Sequence, residues 1–115
     1  MPKTPPARSV VQAPRFARAK RAFPAPVQLQ IDEVVKIIMA DPLVGEPKTG
    51  SLKGVRVEKI KVGPQQLLVA YTFTAKTQTL EMLDVGPHEN FYRGLTQYLN
   101  ARPGPGGQAA RAMLH

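Results

Sequence analysis

The side chains best suited to chemistry lie together in one short stretch near the end of the chain. His88, Tyr92 and Arg93 bring an imidazole, a phenol and a guanidinium within six residues. Histidine gains or loses a proton near neutral pH, and His88 is the one histidine that is not terminal. An acid–base group, a phenol and a cation are what a metal-independent reaction at a phosphate requires.

The same stretch also has an ordinary structural interpretation. Gly86-Pro87 favours the end of a strand, and Asn90 is a residue type that commonly caps the start of a helix. On this interpretation His88 and Asn90 only cap the helix, while Tyr92 and Arg93 lie on its solvated face. The spacing of the residues is compatible with both interpretations.

More basic residues surround a predicted strand in the middle of the chain. Lys59 and Lys61 share one side of a regular strand, whereas Arg56 points to the other side unless a bulge intervenes. Lys53 lies just before this strand. If the last strand pairs beside the others, its end brings His88 to the rim of the same sheet. The alternative for the lysines is a simple solvated face.

Such a set of groups can cleave RNA. A base removes the proton of the ribose 2′-hydroxyl, which attacks the adjacent phosphorus, while cations stabilise the charge and an acid protonates the leaving 5′-oxygen. The candidate catalytic residues are therefore His88, Tyr92, Arg93, Lys59 and Lys61. Lys53 and Arg56 are candidate substrate-binding residues. No Gly-rich phosphate loop and no Gly-x-Ser-x-Gly motif offers a competing chemistry.

Composition restricts the class of protein. The 115 residues suffice for one domain, and 16 Lys+Arg against 8 Asp+Glu give a net charge of +8. That excess favours an anionic partner, which is a nucleic acid, an acidic protein or a membrane surface. Without cysteine there is no thiolate metal site, and we expect neither a metal nor a cofactor. The absence of cysteine, of a signal core and of a long apolar run favours a cytoplasmic protein that does not span a membrane.

Hydrophobic periodicity predicts the order of the elements. A short edge strand over residues 8–13 precedes a basic helix over 14–23, and a tight corner at Pro24 leads to a second helix over 27–39. A loop over 43–53 precedes a three-stranded antiparallel meander and a helix over 90–101. The predicted meander strands cover residues 55–62, 66–76 and 79–85.

These elements predict an α+β fold, with a helical hairpin on one face of a small twisted antiparallel sheet and a C-terminal helix. We expect disorder in residues 1–7, one domain over 8–101 and a flexible tail over 102–115. The strand over 55–62 does not alternate cleanly, which indicates either a bulge or partial cover on both faces. The predicted core consists of Val34, Val35, Ile38, Leu67, Val69, Tyr71 and Phe73.

With these residues in view, the chain resembles the RelE/ParE superfamily of bacterial type II toxin–antitoxin toxins. The resemblance rests on Leu52-Lys53-Gly54-Val55-Arg56-Val57-Glu58-Lys59, on Gln66-Leu67-Leu68-Val69-Ala70-Tyr71, and above all on Gly86-Pro87-His88-Glu89-Asn90-Phe91-Tyr92-Arg93-Gly94-Leu95. It covers about residues 8–100. It implies a compact toxin that a cognate antitoxin, which we expect to be acidic, holds inactive in a hetero-oligomer.

The resemblance leaves the cellular target open. RelE-like members cut mRNA on the ribosome with lysines, arginines and a tyrosine or histidine, whereas ParE-like members poison DNA gyrase and lack those residues. This chain has Gln65 and Gln66 where cleaving members usually have an arginine. Metal-independent mRNA cleavage is our first hypothesis, and gyrase inhibition by binding is the alternative. A non-toxic nucleic-acid-binding module is a third hypothesis, which needs only the charge and the sheet.

Overall fold

Prolines mark where the N-terminal helices begin. In the computed structural model, which describes residues 8–102, Pro14 is the first residue of α1 (Pro14–Arg21), where its missing N–H is not needed. Pro24 precedes α2 (Ala25–Ala40), which ends before Asp41-Pro42. Lys20 of α1 forms an ion pair with Asp32 of α2. The predicted helical hairpin is therefore present.

Five strands and a third helix complete the fold. They are β1 (Ser9–Gln12), β2 (Glu46–Pro47), β3 (Arg56–Val62), β4 (Gln65–Thr74), β5 (Thr79–Pro87) and α3 (Phe91–Ala101). The strand order is β1-β5-β4-β3-β2. The meander β3-β4-β5 is antiparallel as predicted, and Gly63, with φ of 57°, makes its first turn.

The sheet is mixed because β1 pairs with β5 in parallel. The predicted purely antiparallel sheet is corrected in this respect, while the α+β class, the hairpin and the C-terminal helix are confirmed. The predicted loop over 43–53 is also more ordered than expected. It contains β2, which pairs with β3, and a 3-10 turn at Gly50–Leu52.

Helices cover both faces of the sheet, which explains the broken alternation of β3. Ile60 faces the α1–α2 hairpin, whereas Val57 faces α3. The register between β3 and β4 is regular, so two covered faces rather than a bulge explain the pattern of β3. A bulge exists elsewhere, because Ala70 pairs with Asp84 while Tyr71 pairs with Met82.

The core has one layer on each side of the sheet. The predicted residues Ile38, Leu67, Val69 and Tyr71 are fully buried between the hairpin and the sheet. The other three predicted core residues, Val34, Val35 and Phe73, are partly buried and pack against the same layer. The second layer lies under α3, and its buried residues are Leu52, Val55, Val57, Leu68, Ala70, Leu83, Phe91 and Leu95.

The predictions for residues 1–7 and 103–115 lie outside the described residues. Arg102, which the sequence assigns to the tail, is held in place by the fold. Its two terminal nitrogens donate to the carboxylate oxygens of Glu81 at 3.1 and 2.9 Å. This pair fixes the end of α3 to β5.

Candidate functional site

The turn between β5 and α3 exposes its polar side chains. His88, Glu89 and Asn90 are all exposed. Asn90 occupies the position before the helix, but its φ of 59° is left-handed and its side chain makes no capping hydrogen bond. The capping interpretation is therefore wrong for the Asn90 side chain. For His88, it is the backbone carbonyl, not the imidazole, that accepts a hydrogen bond, from the N–H of Phe91 at 3.1 Å. The imidazole is thus not used for capping.

Tyr92 lies at the centre of a small group of side chains. Its ring meets the His88 imidazole edge-on, with centroids 5.6 Å apart, and meets the Phe91 ring in the same way at 5.5 Å. His88 lies three residues before the first residue of α3 and Tyr92 is the second residue of the helix, so the turn through Asn90, not helical spacing, sets this contact. The Nζ of Lys48 lies 5.1 Å from the centre of the Tyr92 ring, so a cation also contacts the phenol.

The two lysines predicted to be catalytic, Lys59 and Lys61, lie on the face of the sheet that α3 covers. Lys59 and Lys61 share the parity of Val57, which packs beneath α3, and both are exposed. Lys59 pairs with Leu68, which pairs in turn with Gly86 near the end of β5. Two strand spacings place the backbone of Lys59 about 10 Å from that of Gly86. The fold therefore brings these lysines and the His88 turn to one end of one face.

The remaining predicted residues lie elsewhere. Arg56 points to the opposite face, where its Nη1 donates to the carbonyls of Leu43 at 3.0 Å and of Gly45 at 2.7 Å. Lys53 is exposed in the turn before β3, toward the opposite end from Lys59 and Lys61. Arg93 is exposed on the outer side of α3, about half a helical turn from the buried Phe91.

Lys48 and Glu46 also border the site, although no pattern in the sequence indicates them. Lys48 Nζ donates to Glu46 Oε1 at 2.7 Å. That hydrogen bond is the main reason why the pKa of Lys48 is raised, and the pKa of Glu46 is lowered by the same contact and, to a smaller extent, by Lys59. Their position in a Pro- and Gly-rich segment gives no periodicity that would have identified them.

A second polar arrangement lies on the other side of the turn. Arg15 Nε donates to Asp84 Oδ2 at 3.0 Å, and Asp84 is buried. Burial raises the pKa of Asp84, and the Arg15 guanidinium opposes that rise. The Arg15 guanidinium also lies 5.4 Å from the centre of the Tyr98 ring. A Cβ on Gly94 would lie 2.7 Å from Arg15 Nη2, so this glycine makes room for the arginine.

Arg15, Asp84 and Gly94 line a pocket of about 360 Å³ at the start of α3. Its wall includes the β5 segment from Asp84 to Pro87, Glu89, Asn90 and Phe91. Asp84 is not among the site residues that the sequence predicts. The feature that could have identified it is an acid within the apolar run Met82-Leu83-Asp84-Val85, which indicates a buried charge that needs a partner.

Among residues 8–102, no three His, Asp or Glu side chains are close enough together to hold a metal ion. None of the helices in this range has the length and apolar character needed to cross a membrane.

The mixed sheet, the N-terminal hairpin and the helix after β5 together define a small α+β fold found among bacterial toxins. The chain belongs to the family of ParE-like toxins of type II bacterial toxin–antitoxin systems, which it matches over residues 10–96. A comparison with curated protein sequences finds no significant match.

Solved structures of RelE toxins share the fold. A doubly substituted variant of the E. coli toxin RelE in the free state has a TM-score of 0.64 at 14% identity, over 84% of this chain and 99% of that chain. A chain of the toxin–antitoxin complex RelBE2 from Mycobacterium tuberculosis has a TM-score of 0.63 at 18% identity, over 71% of this chain and 99% of that chain. E. coli YafQ has a TM-score of 0.55 at 16% identity, over 74% of this chain and 98% of that chain. The chain therefore has the RelE fold.

Proposed function

We propose that this toxin arrests growth by cleaving mRNA on the ribosome without a metal. The observation that carries the proposal is the edge contact between His88 and Tyr92 at the end of the sheet face that presents Lys59 and Lys61. An exposed imidazole beside a phenol supplies proton transfer, and the lysines supply positive charge for a phosphate.

The chemistry is a transesterification that needs no reagent other than water. As a base, His88 takes the proton from the 2′-hydroxyl and Tyr92 gives a proton to the leaving 5′-oxygen. As an acid, His88 gives that proton to the 5′-oxygen, Tyr92 positions the ribose, and a water molecule takes the proton of the 2′-hydroxyl. The 2′-oxygen bonds to phosphorus while the bond to the 5′-oxygen breaks, leaving a cyclic phosphate and a 5′-hydroxyl. Lys59 and Lys61 stabilise the extra negative charge on the phosphate oxygens.

A cognate acidic antitoxin is the proposed partner. The net charge of +8 favours an acidic surface, and the chain exposes apolar side chains that a partner can cover. Leu29 and Ile37 of α2 are 65% and 51% exposed, and Leu43 and Val44 follow in the next loop at 60% and 37%. The antitoxin is expected to cover the helical hairpin and the basic rim of the sheet, which is formed by Lys59, Lys61 and the His88 turn. Several RelE structures were solved as complexes with antitoxins.

Gyrase inhibition by binding is the second candidate function. The matching family is described as ParE-like, and Gln65 and Gln66 stand where cleaving members usually carry an arginine. Arg93 points outward from α3, which suits a contact surface better than a reacting centre. In this case positive charge, rather than proton transfer, is essential for toxicity.

Two substitutions separate the candidates. His88→Gln retains hydrogen bonding but removes the titratable proton, which in acid–base catalysis costs about 100-fold or more. Arg93→Ala removes a cation that either mechanism uses. We expect both variants to lose toxicity if the chain cleaves mRNA, and only Arg93→Ala to lose it if the chain binds gyrase. Truncated mRNA after expression supports cleavage, whereas filamentous cells with DNA damage signalling support gyrase inhibition.

Both variants must remain folded and bind antitoxin for this comparison. The two residues are exposed, so neither substitution disturbs the core. If both variants arrest growth as strongly as the native chain, the His88 turn is not the functional site. Normal colony counts under verified expression of the native chain would show that the chain is not toxic. The remaining hypothesis would then be a nucleic-acid-binding module.

A further inference from the structure

The ion pair between Glu46 and Lys48 lies on the same face as the proposed site. Glu46 pairs with Val57 across β2 and β3, so its side chain shares the α3 side of the sheet with Lys59 and Lys61. Lys48 is two residues after Glu46, so its side chain points to the same side of the sheet, where its Nζ lies against the Tyr92 ring. One carboxylate therefore stands among the cations of the site, since both Lys48 and Lys59 lower its pKa.

We infer that Lys48 is a further phosphate-binding residue of this site, and that the Glu46 carboxylate occupies the phosphate's place beside it in the free chain. This inference rests on the proposed action on RNA. Carboxylate and phosphate oxygens accept the same charge-assisted hydrogen bonds from an ammonium group. An RNA phosphate can thus replace Glu46 as the partner of Lys48.

The two members of the pair are held very differently. The Glu46 side chain is 65% exposed and accepts a hydrogen bond from Lys48. The Lys48 side chain is only 24% exposed and lies against the Tyr92 ring. The carboxylate can therefore swing into solvent while the ammonium group stays in place.

The fold does not depend on this pair. The backbone N–H of Lys48 donates to the carbonyl of Val55 at 2.9 Å, and Arg56 holds the carbonyls of Leu43 and Gly45 just before β2. Exposed ion pairs contribute little to folding. Loss of the Glu46 carboxylate should leave β2 where it is and free one cation of the site.

The inference predicts opposite effects for the two halves of the pair. Lys48→Gln should weaken the affinity for RNA because it removes a phosphate contact, and the slope of log K against log salt should become shallower by about 0.7. Glu46→Gln should strengthen the affinity because it removes the competing carboxylate, and the slope should become steeper by up to about 0.7. A purely structural ion pair predicts that both substitutions weaken binding.

The exposed pair Glu33–Lys36 on α2 is the matched control. Its atoms are 3.1 Å apart and its side chains are 68% and 70% exposed, yet it lies on the hairpin and not on the α3 side. Glu33→Gln and Lys36→Gln change the net charge by the same amounts as Glu46→Gln and Lys48→Gln, respectively. Any general effect of charge on RNA binding therefore appears in each variant and in its control.

The measurement is fluorescence anisotropy of a short single-stranded RNA that is 2′-O-methylated and so cannot be cleaved, titrated with the full chain at several salt concentrations. Opposite shifts for Glu46→Gln and Lys48→Gln, each larger than the shift in its control, support the inference even if mRNA in cells stays intact. Parallel shifts, a Glu46→Gln effect equal to that of Glu33→Gln, or no binding by the native chain overturn it. Cleavage of mRNA by the native chain, assayed separately, tests the proposed function on its own.

Discussion

The hydroxyl of Tyr71, buried beneath the helical hairpin, accepts a hydrogen bond from the backbone N–H of Gly45 at 2.9 Å. The same hydroxyl donates to the carbonyl of Pro42 at 2.7 Å. A Cβ on Gly45 would lie 2.8 Å from the tyrosine ring, so only glycine permits this approach. One core residue of β4 thereby anchors the loop that leads directly to Glu46 and Lys48.

Tyr71→Phe should destabilise the chain by about 1–3 kcal/mol, because it leaves a buried N–H and a buried carbonyl without their partner. The measurement is the free energy of unfolding in urea. Tyr98→Phe is the control, since the Tyr98 hydroxyl lies 3.3 Å from Arg102 Nη1 at a partly buried site. Its cost should stay below about 1 kcal/mol. Equal costs for the two variants would contradict the anchoring role.

Ile38→Ala should cost about 2–5 kcal/mol because Ile38 is fully buried between α2 and the sheet. A domain of this size has of the order of 5–15 kcal/mol to lose, so the variant should be close to unfolding or unfolded. Leu29→Ala on the same helix is the control, because Leu29 is largely exposed. Thermal and urea unfolding should show a large loss for the first variant and almost none for the second. Unchanged stability of Ile38→Ala would mean that the buried stripe of α2 is assigned wrongly.

The stability of the chain should depend on pH through the buried carboxyl of Asp84. Burial raises the pKa of Asp84 above its ordinary value of 3.8, in spite of the Arg15 guanidinium. A raised folded-state pKa contributes stability below the unfolded value, and this contribution is lost as the pH rises through the folded value. The native chain should therefore lose stability relative to Asp84→Asn as the pH rises above the ordinary value of 3.8.

Urea unfolding of the two proteins at several pH values shows whether their stability difference changes with pH in this direction. The difference in the free energy of unfolding between them is the quantity to compare, because other titrating groups are common to both chains. The opposite slope would show that attraction to Arg15 outweighs the cost of burying the Asp84 charge.

A saturating antitoxin should raise the melting temperature of the toxin well above that of the free chain. A partner that binds only the folded state adds about 2.7 kcal/mol at a concentration one hundred times its dissociation constant. We expect the neighbouring gene to encode the antitoxin, and melting curves at increasing concentrations of its product test this expectation. Growth rescue by the same product should accompany it. An unchanged melting temperature at saturation would argue against a partner that covers the hairpin and the rim.

The sequence predicted the elements whose residues carry a regular pattern. The apolar stripe of α2 and the alternating β4 were identified because their periodicity reflects burial on a fixed face. The turn residues Gly63 and Pro87 marked strand ends for local reasons. The parallel pairing of β1 with β5 was missed, because pairing between residues 70 positions apart along the chain, such as Ser9 with Thr79, leaves no local trace.

The chain alone determined which chemical groups exist and that His88 and Tyr92 lie near one another at the start of a helix, since separation along the sequence is a local property. Only the tertiary structure decided which other groups join them. It directed Arg56 to backbone carbonyls on the opposite face, buried Asp84 against Arg15, and brought Lys48 to the Tyr92 ring. These contacts join residues far apart in sequence, and strand register and packing on both faces of the sheet, not local spacing, fix their positions.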